Sequence, residues 1–157
     1  MLTITIPGGA ALQAHHLLLD FNGTLARDGL LIDGVLPLLE TLSRSLRIHV
    51  LTADTHGSVH AQCSAPFFTV HLLPEGDQDG GKLAYLESLG AHTCIAVGNG
   101  HNDRLMLEHA ALGIALMQEE GVATATLLAS DVVFGRIGDV LEGLLNPKRL
   151  IATLRNR

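Results

Sequence analysis

The chain has 157 residues, 47% of them hydrophobic and 17% charged, which excludes a disordered polymer and is most simply one domain over residues 1–157 with a real core. A formal net charge of −6 argues against a nucleic-acid backbone as the main partner. With 3% aromatic residues and no Trp, the core must be aliphatic and there is little to build a base-stacking platform from.

At the amino end, "LTITI" alternates and is β-branched, "PGGA" turns it, and "LQAHH" leads into "LLLD"; this predicts a hairpin feeding a buried strand. After an Asn-Gly turn, "GVLPLLETLSRSL" carries Leu38, Leu39, Leu42 and Leu46 at helical spacing, with Pro37 in the first turn, where a missing N–H costs little. "RIHVLT" is the next strand, "GSVHAQCS" a short helix and "FFTVHLL" a third strand, closed by "PEGDQDGG". Lys82 then opens the helix "KLAYLESLG", which Gly90 stops. "TCIAVGNG" is a strand ending in a glycine-bounded loop, "NDRLMLEHAA" the helix after it, and "GIALM", "EEGVATATLLA", "DVVF" and "IGDVLEGLL" continue the alternation. Short apolar strands separated by helices indicate a parallel sheet covered on both faces. The expected architecture is a three-layer α/β/α sandwich with a Rossmann-like sheet and a small N-terminal β-hairpin.

Several residues read as ordinary surface or core. Cys63 and Cys94 lack C-x-x-C spacing and read as buried thiols of a reducing compartment. No apolar run approaches the ~20 residues that span a bilayer, and "MLTITIPGG" lacks the n-region and long apolar core of a signal peptide; the cytoplasm is the expected location, with neither membrane nor nucleic acid as partner. Lys148, Arg149, Arg155 and Arg157 read as a solvated helix face. His56 and His60 stand four apart without a third ligand and read as surface histidines.

In open parallel sheets, ligands bind beyond the carboxyl ends of the strands. The residues there are Asp20, Thr52 and Gly98-Asn99-Gly100 followed by Asn102 and Asp103, with Lys82 on an intervening helix. A carboxylate at a strand end can attack phosphorus. The turn of Asn22, Gly23 and Thr24 can aim N–H groups at phosphate oxygens, and a threonine hydroxyl and a lysine ammonium can hold those oxygens. Asp103 and Asp20 can share a hard cation such as Mg²⁺. Singly each residue has a bland explanation; together, in order at one sheet edge, they point to phosphate chemistry.

"DFNGTL" resembles the D-x-D-G-T-L motif of the haloacid dehalogenase superfamily, and its D-K-T-G-T variant in P-type ATPases. "VLTADT" is similar to the second motif, Lys82 to the third, and "VGNGHNDRLML" to G-D-G-x-N-D. The nearest resemblance is to the group called soluble P-type ATPase-like. The resemblance implies Asp20 as nucleophile and Thr52 and Lys82 as phosphate ligands. It also implies Mg²⁺ held by Asp20, the carbonyl of Asn22, and the last motif, where Asp103 is the clear acid and Asn99 replaces another. It also implies a Mg²⁺-dependent phosphohydrolase. Two positions depart from the pattern. Asn22 stands where phosphatases carry an acid/base aspartate and cannot exchange a proton that way, so turnover is expected to be slow; Asn99 removes one charge from the metal site. His101, in the same loop, is a candidate stand-in for the missing acid but is expected to face solvent, and Asp54 borders the site without an assigned role.

Between Asn22 and Thr52 there is room only for a flap and one helix, and between Thr52 and Lys82 for a short helix and a strand; neither stretch can hold a cap domain, so the site is expected to be open. That suits a macromolecular phosphorylated substrate or a second copy of the chain covering the site, and an enclosed small-molecule pocket is not expected. The competing reading is a non-catalytic phosphate-sensing or interaction module on the same fold.

Overall fold

The computed structural model describes residues 1–53 and 58–155. Its centre is β3 (His16–Asp20), buried along its whole length. Leu17 and Leu19 face one aliphatic cluster and Leu18 the other, which is why the run is continuously apolar rather than alternating. It pairs in parallel with β6 (Arg47–Thr52), Leu17 opposite Ile48, and with β8 (Cys94–Gly98), Leu17 opposite Ile95. With β7 (Phe68–Leu72), β9 (Leu112–Leu116) and β10 (Val132–Phe134), all parallel, the sheet has six strands in the order β10-β9-β8-β3-β6-β7.

One face is covered by α1 (Val35–Ser43), α6 (Ile137–Leu145) and α7 (Lys148–Thr153), the other by α3 (Gln78–Leu89), α4 (Arg104–His109) and α5 (Thr124–Ala129). On α1 the buried residues are Val35, Leu39 and Leu42, the i, i+4, i+7 stripe of a helix with one face inward. β1 (Leu2–Ile4) and β2 (Leu12–Ala14) form the expected antiparallel hairpin, Leu2 opposite Ala14, and turn Ile4, Leu12 and Ala14 into the core. Cys63 and Cys94 are both buried and free.

One element differs from the sequence reading, and the flap expected after Asn22 takes a defined form. The helix carrying Lys82 begins four residues earlier, at Gln78, with the Asp77 carboxylate capping it by accepting from the Gly80 N–H at 3.1 Å. Gly80 and Gly81 disguise that first turn as loop, because glycine is a poor helix former. Between β3 and α1 a flap forms from β4 (Ala26–Arg27) and β5 (Leu30–Leu31), turned at Asp28 and Gly29, both with positive φ (52° and 76°). Asp-Gly is the sequence of a tight hairpin turn, but the arms are too short to show a strand period. The short α2 (Val59–Gln62) is tied to this flap: Gln62 donates to the Gly29 carbonyl at 2.5 Å and accepts from the Leu31 N–H at 2.6 Å. Among the described residues, the flap precedes α1, and α2 and β7 lie between β6 and α3; no cap is built from them. No helix among them is long and apolar enough to cross a membrane.

Candidate active site

Asp20 ends β3 at the carboxyl edge of the sheet, beside Thr52 at the end of β6. From the second turn of α3, Lys82 reaches up so that its Nζ lies 2.6 Å from Asp20 Oδ1 and 2.6 Å from Asp103 Oδ1. The lysine is 1% exposed and Asp103 fully buried. A charge so far from water persists only when it is paired and hydrogen-bonded. The other oxygen of Asp103 accepts from the N–H groups of Asn99 (3.0 Å) and Gly100 (2.9 Å). Gly98 makes room for this seat, since a Cβ there would lie 2.5 Å from Asp103 Oδ2.

Burial drives the Asp20 carboxyl up to about 7, and the Asp103 charge pushes the same way while the Lys82 ammonium opposes both. Burial by itself lowers Lys82, but the two carboxylates and their hydrogen bonds outweigh it and hold the ammonium above its ordinary range. One buried cation thus serves two buried acids, leaving the local charge negative and Asp20 easily protonated.

The turn after Asp20 is organised from within. Gly23 has φ +79°, and its N–H donates to the Ala26 carbonyl at 2.8 Å. Gly23 therefore shapes the turn; the sequence reading aimed its N–H at a phosphate, but in this conformation it is directed inward to the Ala26 carbonyl. Asn22 is exposed and Thr24 buried. Over the turn lies a strap formed by residues 117–123, between β9 and α5. Gln118 donates to the carbonyls of Gly23 (2.8 Å) and Thr24 (3.0 Å) and accepts from the Ile137 N–H (2.9 Å). Asn99 holds the strap from the other side: its Nδ2 donates to the Gly121 carbonyl at 3.1 Å, and its backbone carbonyl accepts from the Ala123 N–H at 2.9 Å.

Asp20, Asn22, Thr52, Lys82 and Asn99 line one cleft of about 260 Å³, together with Ala53, Gln78, Gly100, Asn102 and Glu120. Five of the residues expected at the site are thus brought together. Asp103 stands behind Lys82 instead of in the wall. His101 and His60 are exposed and line no part of the cleft; Asp54, His56 and Arg157 lie outside the described residues. A larger cleft of about 570 Å³ opens at the amino ends of β3 and β8, beside Leu12, His15 and Thr93. Its volume exceeds that of the carboxyl-edge cleft, but none of the residues expected at the site lines it, so the smaller cleft is the candidate site. The donors in the smaller one are hard oxygens, suited to a magnesium-like ion that retains several waters and needs only one or two carboxylates. Among the described residues, no three His, Cys, Asp or Glu side chains converge on a common metal position.

Reading strand ends at Asp20, Thr52 and Gly98 overlooked the end of β9, where Gln118, Glu119 and Glu120 follow. Applying the same rule to that strand finds them. The sequence also hid a chain of polar groups under the sheet: His16 Nδ1 lies 3.0 Å from His49 Nε2, and His49 Nδ1 lies 2.9 Å from the Tyr85 hydroxyl on α3. Burial, with the neighbouring His16 and Arg47 charges, lowers His49 to about 4, so it is neutral at ordinary pH.

No family model matches the chain. The uncharacterized protein MJ0073 of Methanocaldococcus jannaschii is 44% identical over 85 residues, covering 52% of this chain and 91% of that protein. Among solved structures, one described as a subfamily III A hydrolase of the haloacid dehalogenase superfamily, from Legionella pneumophila, superposes with a TM-score of 0.67 at 17% identity, over 91% of this chain and 88% of that one. The 3-deoxy-D-manno-octulosonate 8-phosphate phosphatase of Moraxella catarrhalis, solved with magnesium, phosphate and the sugar acid, gives 0.66 at 17% identity, over 92% and 95%. The chain belongs to the same family as the archaeal protein, and it has the fold of the haloacid dehalogenase superfamily.

Proposed function

We propose that the chain is a phosphohydrolase acting through an aspartyl-phosphate on Asp20, assisted by Mg²⁺ and slow in turnover. The observation that carries this reading is the buried Lys82 ammonium, 2.6 Å from both Asp20 and Asp103, in the lining of an open polar cleft. A carboxylate aimed from a rigid strand, with a fixed cation beside it, is arranged for in-line attack on a phosphoryl group.

In the first step an Asp20 oxygen forms a bond to phosphorus as the ester P–O bond breaks, and the leaving oxygen takes a proton from water. Water then attacks the aspartyl-phosphate, releasing inorganic phosphate and regenerating Asp20. Thr52 donates its hydroxyl to a phosphoryl oxygen, and Lys82 balances the charge on it. Asn22, exposed in the lining of the cleft, offers its amide, but it neither protonates the leaving oxygen nor activates the water, which makes both steps slow. When bound, Mg²⁺ neutralises phosphoryl charge and orients the group; Asp20, the Asn22 carbonyl and Asn99 are the donors that would hold it, with Asp103 setting the charge from behind Lys82. The open cleft suits a phosphorylated macromolecule, or closure by a second copy of the chain.

Asn22 also favours a second reading, a module that binds phosphate without turnover. Release of phosphate from p-nitrophenyl phosphate and acetyl phosphate, with Mg²⁺, separates the two. The expected outcome is a slow wild-type rate that Asp20→Asn abolishes and Asn22→Asp raises by about tenfold or more, since a positioned proton carrier contributes roughly 10²–10⁴. Equal background rates in wild type and both variants overturn the enzyme.

A further inference from the structure

We propose that Glu120 is a ligand for the divalent cation, supplying from the strap the charge that Asn99 does not; this rests on the cation-assisted reading above. Glu120 lines the same cleft as Asp20, Asn22 and Asn99. Its Oε2 and the Asn99 amide crowd the same point beside Gly23: a Cβ on that glycine would lie 2.8 Å from Glu120 Oε2, 2.5 Å from Asn99 Nδ2 and 2.8 Å from Asn99 Oδ1. The carboxylate and the amide therefore meet over the backbone of the turn whose Asn22 carbonyl is a donor.

The charge in the cleft favours such a group. Asp20 and Asp103 share Lys82, so the three together carry one net negative charge, too little to balance a dication before phosphate arrives. Glu120 brings the balance to two. Asn99 explains why the acid stands on the strap. Its Nδ2 donates to the Gly121 carbonyl at 3.1 Å, a place where an aspartate would set oxygen against oxygen. An amide at 99 ties down the segment, and the segment delivers the acid. Gln118, bonded to the carbonyls of Gly23 and Thr24, fixes it against the nucleophile turn. The adjacent Glu119 is engaged elsewhere, 3.0 Å from Arg27 on the flap, and serves as a control.

The test is Mn²⁺ binding to the full chain without substrate, followed by electron paramagnetic resonance of the free ion. Glu120→Gln is expected to weaken binding about tenfold or more, the scale of losing one group from a metal site. Glu119→Gln should stay within about twofold, as for a surface charge already paired. Wild-type affinity in Glu120→Gln, with affinity lost in Asp20→Asn, overturns the role of Glu120 and leaves the phosphohydrolase standing. An equal loss in Glu119→Gln reduces the effect to net charge and also overturns it. A wild type that binds no Mn²⁺ at millimolar concentration removes the cation from the proposed mechanism, and this inference with it.

Discussion

Asp20 sits in an electrostatic conflict between its burial and Asp103 on one side and Lys82 on the other. It is a nucleophile candidate held beside a second acid with one lysine between them, and burial raises it to about 7. A carboxyl raised on folding contributes stability that is full below its unfolded value near 3.8 and is lost as pH rises through 7. Relative to Asp20→Asn, the wild type should therefore lose stability on the order of 2–4 kcal/mol between about pH 4 and pH 7.5. His49, lowered to about 4, acts in the opposite sense up to its unfolded value, so the difference between the two proteins, and not the raw curve, is the quantity to read. Urea unfolding across that window checks it; a difference independent of pH contradicts the electrostatics described for Asp20.

At the scale of elements, the seat of Asp103 depends on how α4 lies on β9. Gly113 on β9 passes directly under the last turn of α4, where a Cβ would collide with the Leu107 carbonyl oxygen and approach its carbon to 2.9 Å. Backbone cannot step aside as a flexible side chain does. Gly113→Ala should destabilise the fold by about 1–3 kcal/mol, the usual range for overpacking, read as a lower urea midpoint with an unchanged slope. The elements were unequally legible. Apolar runs announced β3, β8 and β9, the β-branched stretch around Val50 announced β6 despite His49 within it, and the Leu39/Leu42 stripe announced α1. The start of α3 was concealed by Gly80 and Gly81; the length of the gap announced a flap, but arms of two residues each hid its strands, although Asp28-Gly29 marked its turn.

Over the whole molecule, the sheet divides the core into two aliphatic clusters, one holding Leu19 and the other Leu86. Leu19→Ala and Leu86→Ala should each cost about 2–5 kcal/mol. With the sheet between them, the double variant should equal the sum within about 0.5 kcal/mol. Calorimetry or urea titration of the three variants measures this, and a shortfall of several kcal/mol would show the clusters to be coupled. The sheet also explains how groups so distant in sequence converge: parallel strands all present their carboxyl ends at one edge, and every crossover carries the chain back to the opposite edge so that the next strand ends at the first edge too.

The sequence by itself determined the layered parallel fold and the identity of the groups at three strand ends, because burial and period are local properties written in consecutive residues. It named Asp20, Thr52, Lys82, Asn99 and Asp103. Only the tertiary structure decided what each of them faces. That Lys82 lies between two acids, that Asp103 stands behind it, that Gly23 turns its N–H inward and that Asn99 ties down the strap bearing Glu120 all depend on partners 21 to 95 residues apart or on the course of a loop. Charge and hydrogen-bond partners across such distances are set by strand register and helix placement, which no local pattern records.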